Sequence, residues 1–407
     1  MTVRRATDPL NLLLNRRPAP FVPVAPVYET LGPLQFHWME QRHRKWRARL
    51  DQAGTDLLPV DHSTHFAVQW EIHTETLDNY YLPPAWYALP RTMSPDEVAG
   101  CAVARQGEDL HWVWPSGKTE WIPPSRQAYH DMQTAERTMP FAQLWQRGHH
   151  ADALEEALAE PRHRLDPAPE SAPEEAEAIA ASAPWELARR LLDRYPSNLP
   201  LYWYASSPYN SLLGMLGFQE MMTALLERPG AVHQVLEHSV PRPTAALAAA
   251  QRLGVGIVFI EECLASADLI SPRMHQEFVF PYTKQTIEFY EQRGFRTVLY
   301  FSGNLMPFLG CLKELPWTAL SFEENRKNYG IDLAEVRRVM GPDRVLFGNL
   351  DAMFVEKATD DELLNEVRRQ ISAAGKDSNF VVSLGSPFTP GTTLQRVRLV
   401  CESTRRL

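Results

Sequence analysis

Short apolar, β-rich runs recur along the chain, and most follow a stretch whose apolar positions have helical spacing. They are FVPVAPV (21–27), DLLPV (56–60), LPLYWYA (199–205), GIVFIEE (256–262), RTVLYFS (296–302), WTALSFE (317–323), RVLFGNL (344–350) and NFVVSLG (379–385). Helical stretches such as QFHWMEQRHRKWRARLDQAG, WELARRLLDRY and PYTKQTIEFYEQRG precede them, and most of these end at Gly or Pro. Near-continuous apolar strands that alternate with helices are parallel strands covered on both faces. Eight such units predict an α/β fold of the (β/α)8 TIM-barrel type. A doubly wound open sheet is the rival, and strand count alone does not exclude it.

Two segments break this rhythm. Residues 64–122 are dense in aromatics, and HWVWPSGKTEWI within them has the pattern of a β-hairpin turning at Pro115–Lys118. We expect a β-rich insertion after the second strand, roofing the barrel mouth. Residues 151–184 are rich in Ala, Glu and Pro, the composition of a solvated helical excursion with a flexible middle. The basic stretch HWMEQRHRKWRARL (37–50) is expected as the helix before strand 2, its charges in water. The whole chain, 1–407, is read as one barrel domain.

Composition narrows the function. The 407 residues are 44% hydrophobic, enough for one large core or two ordinary ones. A net charge of −9 argues against a dedicated nucleic-acid binder, which needs clustered positive charge. No apolar run approaches the ~20 residues of a membrane span, and the first residues do not make a signal peptide. The four cysteines (Cys101, Cys263, Cys311, Cys401) are scattered, without a CxxC pair, as expected for reduced thiols in a cytoplasmic protein. The expected partner is a small-molecule substrate, with no nucleic acid and no membrane; a homodimer is compatible with this reading.

In a barrel of this kind the active site lies at the C-terminal ends of the strands. Those ends carry Asp61 and His62; Tyr204, Ser206 and Ser207; Glu261 and Glu262; Tyr300, Ser302 and Asn304; Glu323 and Glu324; Asn349 and Asp351; and Ser386 with Thr389. Carboxylates crowded in a partly dry mouth raise one another's pKa, so that one can stay protonated as a general acid. Alternation along a strand lets only one of Glu261 and Glu262, and one of Glu323 and Glu324, face the lumen.

Three motifs in order then resemble a known family. EECLASADLISPRMHQEFVFPYTKQTIEFYEQRG carries an acidic residue, Ala-Ser, Ile-Ser-Pro and Phe-Val-x-Pro-Tyr. VLFGNLDAMF carries the Gly-Asn-Leu-Asp turn, and FVVSLGSPFTPGTT a closing strand with its Thr-Pro. Together they resemble the uroporphyrinogen decarboxylase superfamily, well over 187–407 and thinly over 20–62. The resemblance implies a (β/α)8 barrel and an enzyme. Its cobalamin-dependent methyltransferases hold zinc with His-x-Cys after strand 5 and a Cys after strand 8. The matching positions here are Tyr300, Ser302 and Ser386, so the metal ligands are replaced and no metal is expected. Glu262 matches the acidic position of the strand-4 motif, and Asn304 keeps the Gly-Asn that follows the strand-5 motif. The haem-pathway decarboxylase clamps its many carboxylates with an arginine-rich loop, but APVYETLG (25–32) has no arginine. Its strand-2 Asp, which holds pyrrole N–H groups, matches Asp61.

The expected function is therefore a metal-independent lyase of the decarboxylase type acting on a small or tetrapyrrole-like substrate, without a cofactor. Tyr300 with Glu262 or Glu323 would be the acid–base pair, and Asp61 would position the substrate. His62, Tyr204, Ser302, Asn304, Asn349, Asp351 and Ser386 would line the binding site. The alternatives are a corrinoid-linked methyltransferase served by a corrinoid protein, and a non-catalytic ligand-binding member.

Overall fold

The computed structural model describes residues 9–17, 19–26, 33–80, 86–136, 154, 172–195, 200–375 and 379–406. Among them the strands are, in chain order, β1 (Leu57–Pro59), β2 (Tyr87–Ala88), β3 (Ala102–Gln106), β4 (Asp109–Val113), β5 (Thr119–Ile122), β6 (Leu201–Ser206), β7 (Ile257–Glu262), β8 (Arg296–Phe301), β9 (Ala319–Phe322), β10 (Val345–Phe347) and β11 (Phe380–Val381). Seven of them form one sheet in the order β11-β10-β9-β8-β7-β6-β2, and every pairing in it is parallel. Segment 22–26 takes the eighth position: Val24 bridges Val382 in parallel, and Ala25 N–H donates to the Val382 carbonyl at 2.9 Å. On its other side the Trp86 indole N–H donates to the Pro26 carbonyl at 2.7 Å, so a side chain links this segment to the residue preceding β2. Intervening helices bury the outer face, as parallel strands require. The result is a curled, seven-stranded parallel sheet of the (β/α)8 kind, with segment 22–26 at the position of the eighth strand.

The second barrel strand is not DLLPV. Leu57–Pro59 pairs antiparallel with β3, and Leu57 is 56% exposed, which a strand covered on both faces would not allow. The second position is held by Tyr87–Ala88, in register with Leu201 and Tyr202. The antiparallel sheet, order β1-β3-β4-β5, thus takes strands from both sides of β2 in sequence and is not a simple insertion after it. The hairpin expected in HWVWPSGKTEWI is the β4–β5 pair. This sheet closes its own apolar core, in which Trp46 from the basic helix Pro33–Ala53 meets Trp112 at 5.9 Å. Most of 151–184 lies outside the described residues; within it, Pro173–Ala181 is helical.

Alternation sorts the barrel strands into two faces. Ile257, Phe259, Val298, Tyr300, Ala319, Val345, Phe347 and Val381 share one cluster with Trp86 and Tyr202, the lumen. Val258, Ile260, Leu299, Phe301, Leu320, Phe322 and Leu346 belong to the outer core beneath the helices. Trp86 bridges the lumen, with ring centroids 4.7 Å from Tyr202, 5.5 Å from Phe259 and 5.1 Å from Phe347. Helix Pro9–Leu14 closes the lower end: Leu10, Leu13 and Leu14 join the lumen cluster, and Asn15 accepts from Arg296, the first residue of β8, at 3.0 Å. Burying a leucine contributes about 1.5–3 kcal/mol, so the plug is a stabilising part of the barrel. Among the described residues no helix is long and apolar enough to cross a membrane.

Candidate active site

The inward face of β7 runs Ile257, Phe259, Glu261 and then Cys263, which ends the series at the C-terminal mouth. Glu261 is therefore the lumen-facing carboxylate of its pair. The Tyr204 hydroxyl donates to its carboxylate, Asn210 Nδ2 reaches the same oxygen at 3.3 Å, and the Cys263 thiol donates to the other at 3.2 Å. Tyr204 is 48% exposed. Burial of its ring edge and the Glu261 charge push its hydroxyl well above the usual tyrosine range, so it keeps its proton. Burial and then Glu261 likewise push the Cys263 thiol up, with the nearby Ser302 hydroxyl acting the other way.

Glu262, one residue on, points the other way. It is 1% exposed, between β7 and the outer helices. Its oxygens accept from Ser207 Oγ at 2.8 Å and Thr283 Oγ1 at 2.6 Å. Burial pushes its carboxyl up to about 7. The expected Tyr300–Glu262 pair does not form, because the two side chains lie on opposite faces of the sheet.

Tyr300 stands opposite Glu261 in the β7–β8 register and stacks on Phe259 at 5.8 Å. Its hydroxyl crosses the lumen and donates to the Gly385 carbonyl at 2.8 Å. Burial, then Glu323, raise it far above the ordinary tyrosine pKa. It forms the floor of the mouth.

The opposite side of the mouth is a second acidic cluster. Glu323 accepts from Gly303 N–H at 2.6 Å, the Tyr329 hydroxyl at 3.0 Å and Arg326 Nε at 3.0 Å. Glu324 accepts from Ser386 Oγ at 2.9 Å and pairs with Arg326 at 2.9 Å. Burial raises its carboxyl, and its Oε2 is buried without a hydrogen bond. Two glycines permit this packing. A Cβ on Gly385 would lie 2.1 Å from Glu324 N, and one on Gly303, at φ +87°, would lie 2.2 Å from Ser266 Oγ.

The remaining expected residues divide between mouth and scaffold. Asn349 Nδ2 donates to the Glu323 carbonyl at 3.2 Å and supports the cluster. Ser302 is half-buried at the end of β8. Asn304 shapes its turn, with Oδ1 accepting from Met306 N at 3.2 Å. Asp351 caps helix Ala352–Lys357 through bonds from Met353 and Phe354 N–H at 2.7 and 3.1 Å. Asp61 is not at the mouth. It caps helix His62–Asn79, accepting from Thr64 N at 2.7 Å, which holds its carboxyl below the usual range. His62 begins that helix and packs against Phe66 at 6.3 Å. Sequence reasoning did not single out Arg326, Tyr329 or Asn210. The first two sit in FEENRKNYG after β9, where a basic and an aromatic residue beside two glutamates were the available signal.

Tyr300, Ser302 and Ser386 do not fit zinc. The Tyr300 and Ser386 hydroxyls are engaged by a carbonyl and a carboxylate, and neutral hydroxyls are poor zinc ligands. Among the described residues no three His, Cys, Asp or Glu side chains are grouped to hold a metal ion.

A sequence model described as uroporphyrinogen decarboxylase (URO-D) matches residues 163–407. The chain belongs to that family. The family's fold is the barrel described above. No curated protein matches the chain. Among solved structures, a methyltransferase from Methanosarcina mazei is similar, with 17% identity, 100% of this chain and 99% of that chain covered, and a TM-score of 0.55. A putative vitamin-B12 independent methionine synthase from Listeria monocytogenes overlaps 51% of this chain and 64% of its own at 15% identity, with a TM-score of 0.36. At these identities the first likeness speaks for the fold alone, and the second carries no argument.

Proposed function

We propose that this URO-D family member is a metal-independent lyase of the decarboxylase type, with Tyr204 and Glu261 as its proton-transfer pair. The observation that carries the reading is the inward-facing Glu261 carboxylate with a protonated, half-exposed tyrosine hydroxyl on it. In the reaction the bond between the substrate's carboxylate carbon and its neighbour breaks, and CO2 leaves. The electron pair stays on the neighbouring carbon, Tyr204 protonates it, and a proton from solvent returns through Glu261. The aromatic floor of Tyr300 and Phe259 keeps that end dry, which disfavours a carboxylate relative to a charge-dispersed transition state. The acidic rim, whose Arg326 is already paired with Glu323 and Glu324, disfavours substrates with many carboxylates.

The test is release of labelled CO2 from a panel of small carboxyl-labelled acids. Glu261→Gln and Tyr204→Phe should each lower release by about 10²- to 10⁴-fold, and Glu262→Gln should leave it near the wild-type rate. Full activity in Glu261→Gln would refute the assignment. The second reading is methyl transfer with a partner corrinoid protein, supported by the overlap of the whole chain with a methyltransferase. Consumption of methylcobalamin by the purified protein, without CO2 release, would favour it.

A further inference from the structure

β2 is only two residues long, and its ladder with β6 registers Tyr87 with Leu201 and Ala88 with Tyr202. The last bond along it runs from Leu89 N to the Tyr202 carbonyl, and by Thr92 the chain has turned away to bond the Pro184 carbonyl. A cavity of about 470 Å³ lies beside this short strand, lined by Arg91, Ile179, Trp185, Trp203, Tyr204 and Ala246 among others. Its volume is within the ~300–1,000 Å³ usual for small-molecule sites.

The walls have a definite chemistry. Trp185 and Trp203 lie nearly parallel, 14° apart, with ring centroids at 6.4 Å. Trp203 packs against the outer core, in the cluster that contains Tyr290. Arg91 is the one charged side chain among the described lining residues. Its side chain is 61% exposed, with its guanidinium 3.6 Å from Glu97. At the other end stands Tyr204, whose hydroxyl is on Glu261. Indole faces favour a flat aromatic body, through offset or edge contacts worth about 0.5–1.5 kcal/mol each beyond area burial. The arginine favours a carboxylate.

We infer that this cavity is a lateral binding site for an aromatic carboxylate of one or two fused rings. The carboxylate meets Arg91, the ring lies along Trp185 and Trp203, and the far edge reaches Tyr204. The inference deepens the reading above and rests on it for the reaction: the carboxylate on Arg91 is the anchor, and the group that reacts is a second carboxyl at the edge that reaches Tyr204.

Calorimetric titration with naphthalene-2-carboxylate tests it. Wild-type protein should bind the probe. Ala246→Trp, which fills the cavity from helix Ala245–Arg252, should weaken binding by more than about 30-fold, the loss of most of one stacked ring pair and its burial. Arg91→Gln should weaken it about 3- to 10-fold, a modest loss because the guanidinium is largely in water, and the probe's methyl ester should bind wild type as weakly as the acid binds Arg91→Gln. Should Ala246→Trp fail to fold by circular dichroism, Ile179→Trp is the second blocking variant. No binding to wild type, or undiminished binding to a folded blocking variant, overturns the inference. Glu261→Gln separates the two claims, because it should keep the probe while losing turnover. Probe binding without turnover of any acid leaves the cavity standing and the catalytic reading refuted. Turnover of non-aromatic acids with no probe binding does the reverse.

Discussion

Glu262 is a buried carboxyl that the barrel carries behind its wall, and it should make the protein less stable as pH rises. The unfolded chain releases this proton near 4.5, whereas the folded protein holds it to about 7, because burial penalises the charge. Between those values the unfolded state binds fewer protons than the folded state, so stability falls with rising pH. At about 1.4 kcal/mol per pH unit, the loss amounts to about 3 kcal/mol by pH 7, and the stabilisation is fully present below 4.5. Glu262→Gln keeps the side-chain shape and an acceptor for Ser207 or Thr283 but cannot ionise. Its own packing cost is independent of pH, so the informative quantity is a difference. Urea unfolding followed by circular dichroism at pH 4.5, 6 and 7.5 should show the variant gaining about 3 kcal/mol on wild type across the series. A difference that stays constant with pH would mean that Glu262 is ionised in the folded protein, and the reasoning would fail.

Other outcomes follow from the same geometry. Tyr300→Phe leaves the Gly385 carbonyl without its donor; unfolding should cost about 1–2 kcal/mol less while CO2 release stays within a few-fold, and a hundred-fold loss of rate would restore Tyr300 as an acid. Gly385→Ala drives a methyl into Glu324 and should destabilise by about 1–3 kcal/mol, read as a lowered melting temperature; an unchanged one would contradict the packing. His65, His73 and His275 are each held down to about 4 by burial. Their contribution is present above pH 6.5 and is lost as pH falls through about 4, so the urea midpoint of Glu262→Gln should drop over that window, and a flat profile would refute it. Trp86→Ala empties the middle of the lumen and should cost about 3–5 kcal/mol, measured by the same denaturation.

The barrel was legible because six of its strands are apolar on both faces, a pattern that buried parallel pairing imposes on sequence. The second strand was not. Two paired residues inside an aromatic stretch carry no periodicity of their own, and DLLPV nearby has the stronger β composition while belonging to another sheet. Misplacing that strand carried Asp61 and His62 to the mouth with it. Yet Asp61 followed by Thr64 at the start of an apolar-periodic stretch is also an N-cap signal, and the cap is what forms. The choice between Glu261 and Glu262 could have been made from Phe259 and Ile257 by counting in twos. The motif resemblance pointed to Glu262 instead, and a buried residue that supports a helix can carry a motif as readily as one that meets substrate. Arg326 went unread although its partners Glu323 and Glu324 stand three and two residues before it, because composition does not specify how the loop folds back on them.

The barrel's seam has a consequence for how the chain is made. Ser383 Oγ donates to the Ala25 carbonyl across 358 positions of sequence, beside the Val24–Val382 bridge. At ~5–20 residues per second of synthesis, the segment 22–26 is finished on the order of 20–70 s before its neighbour in the ring exists. Until then its strand edge and the leucines of helix Pro9–Leu14 have no completed lumen to enter, and unpaired edges with apolar flanks invite wrong pairings. The nascent protein therefore passes a long interval as an open ring, its first strand edge unpaired until the last strand is made.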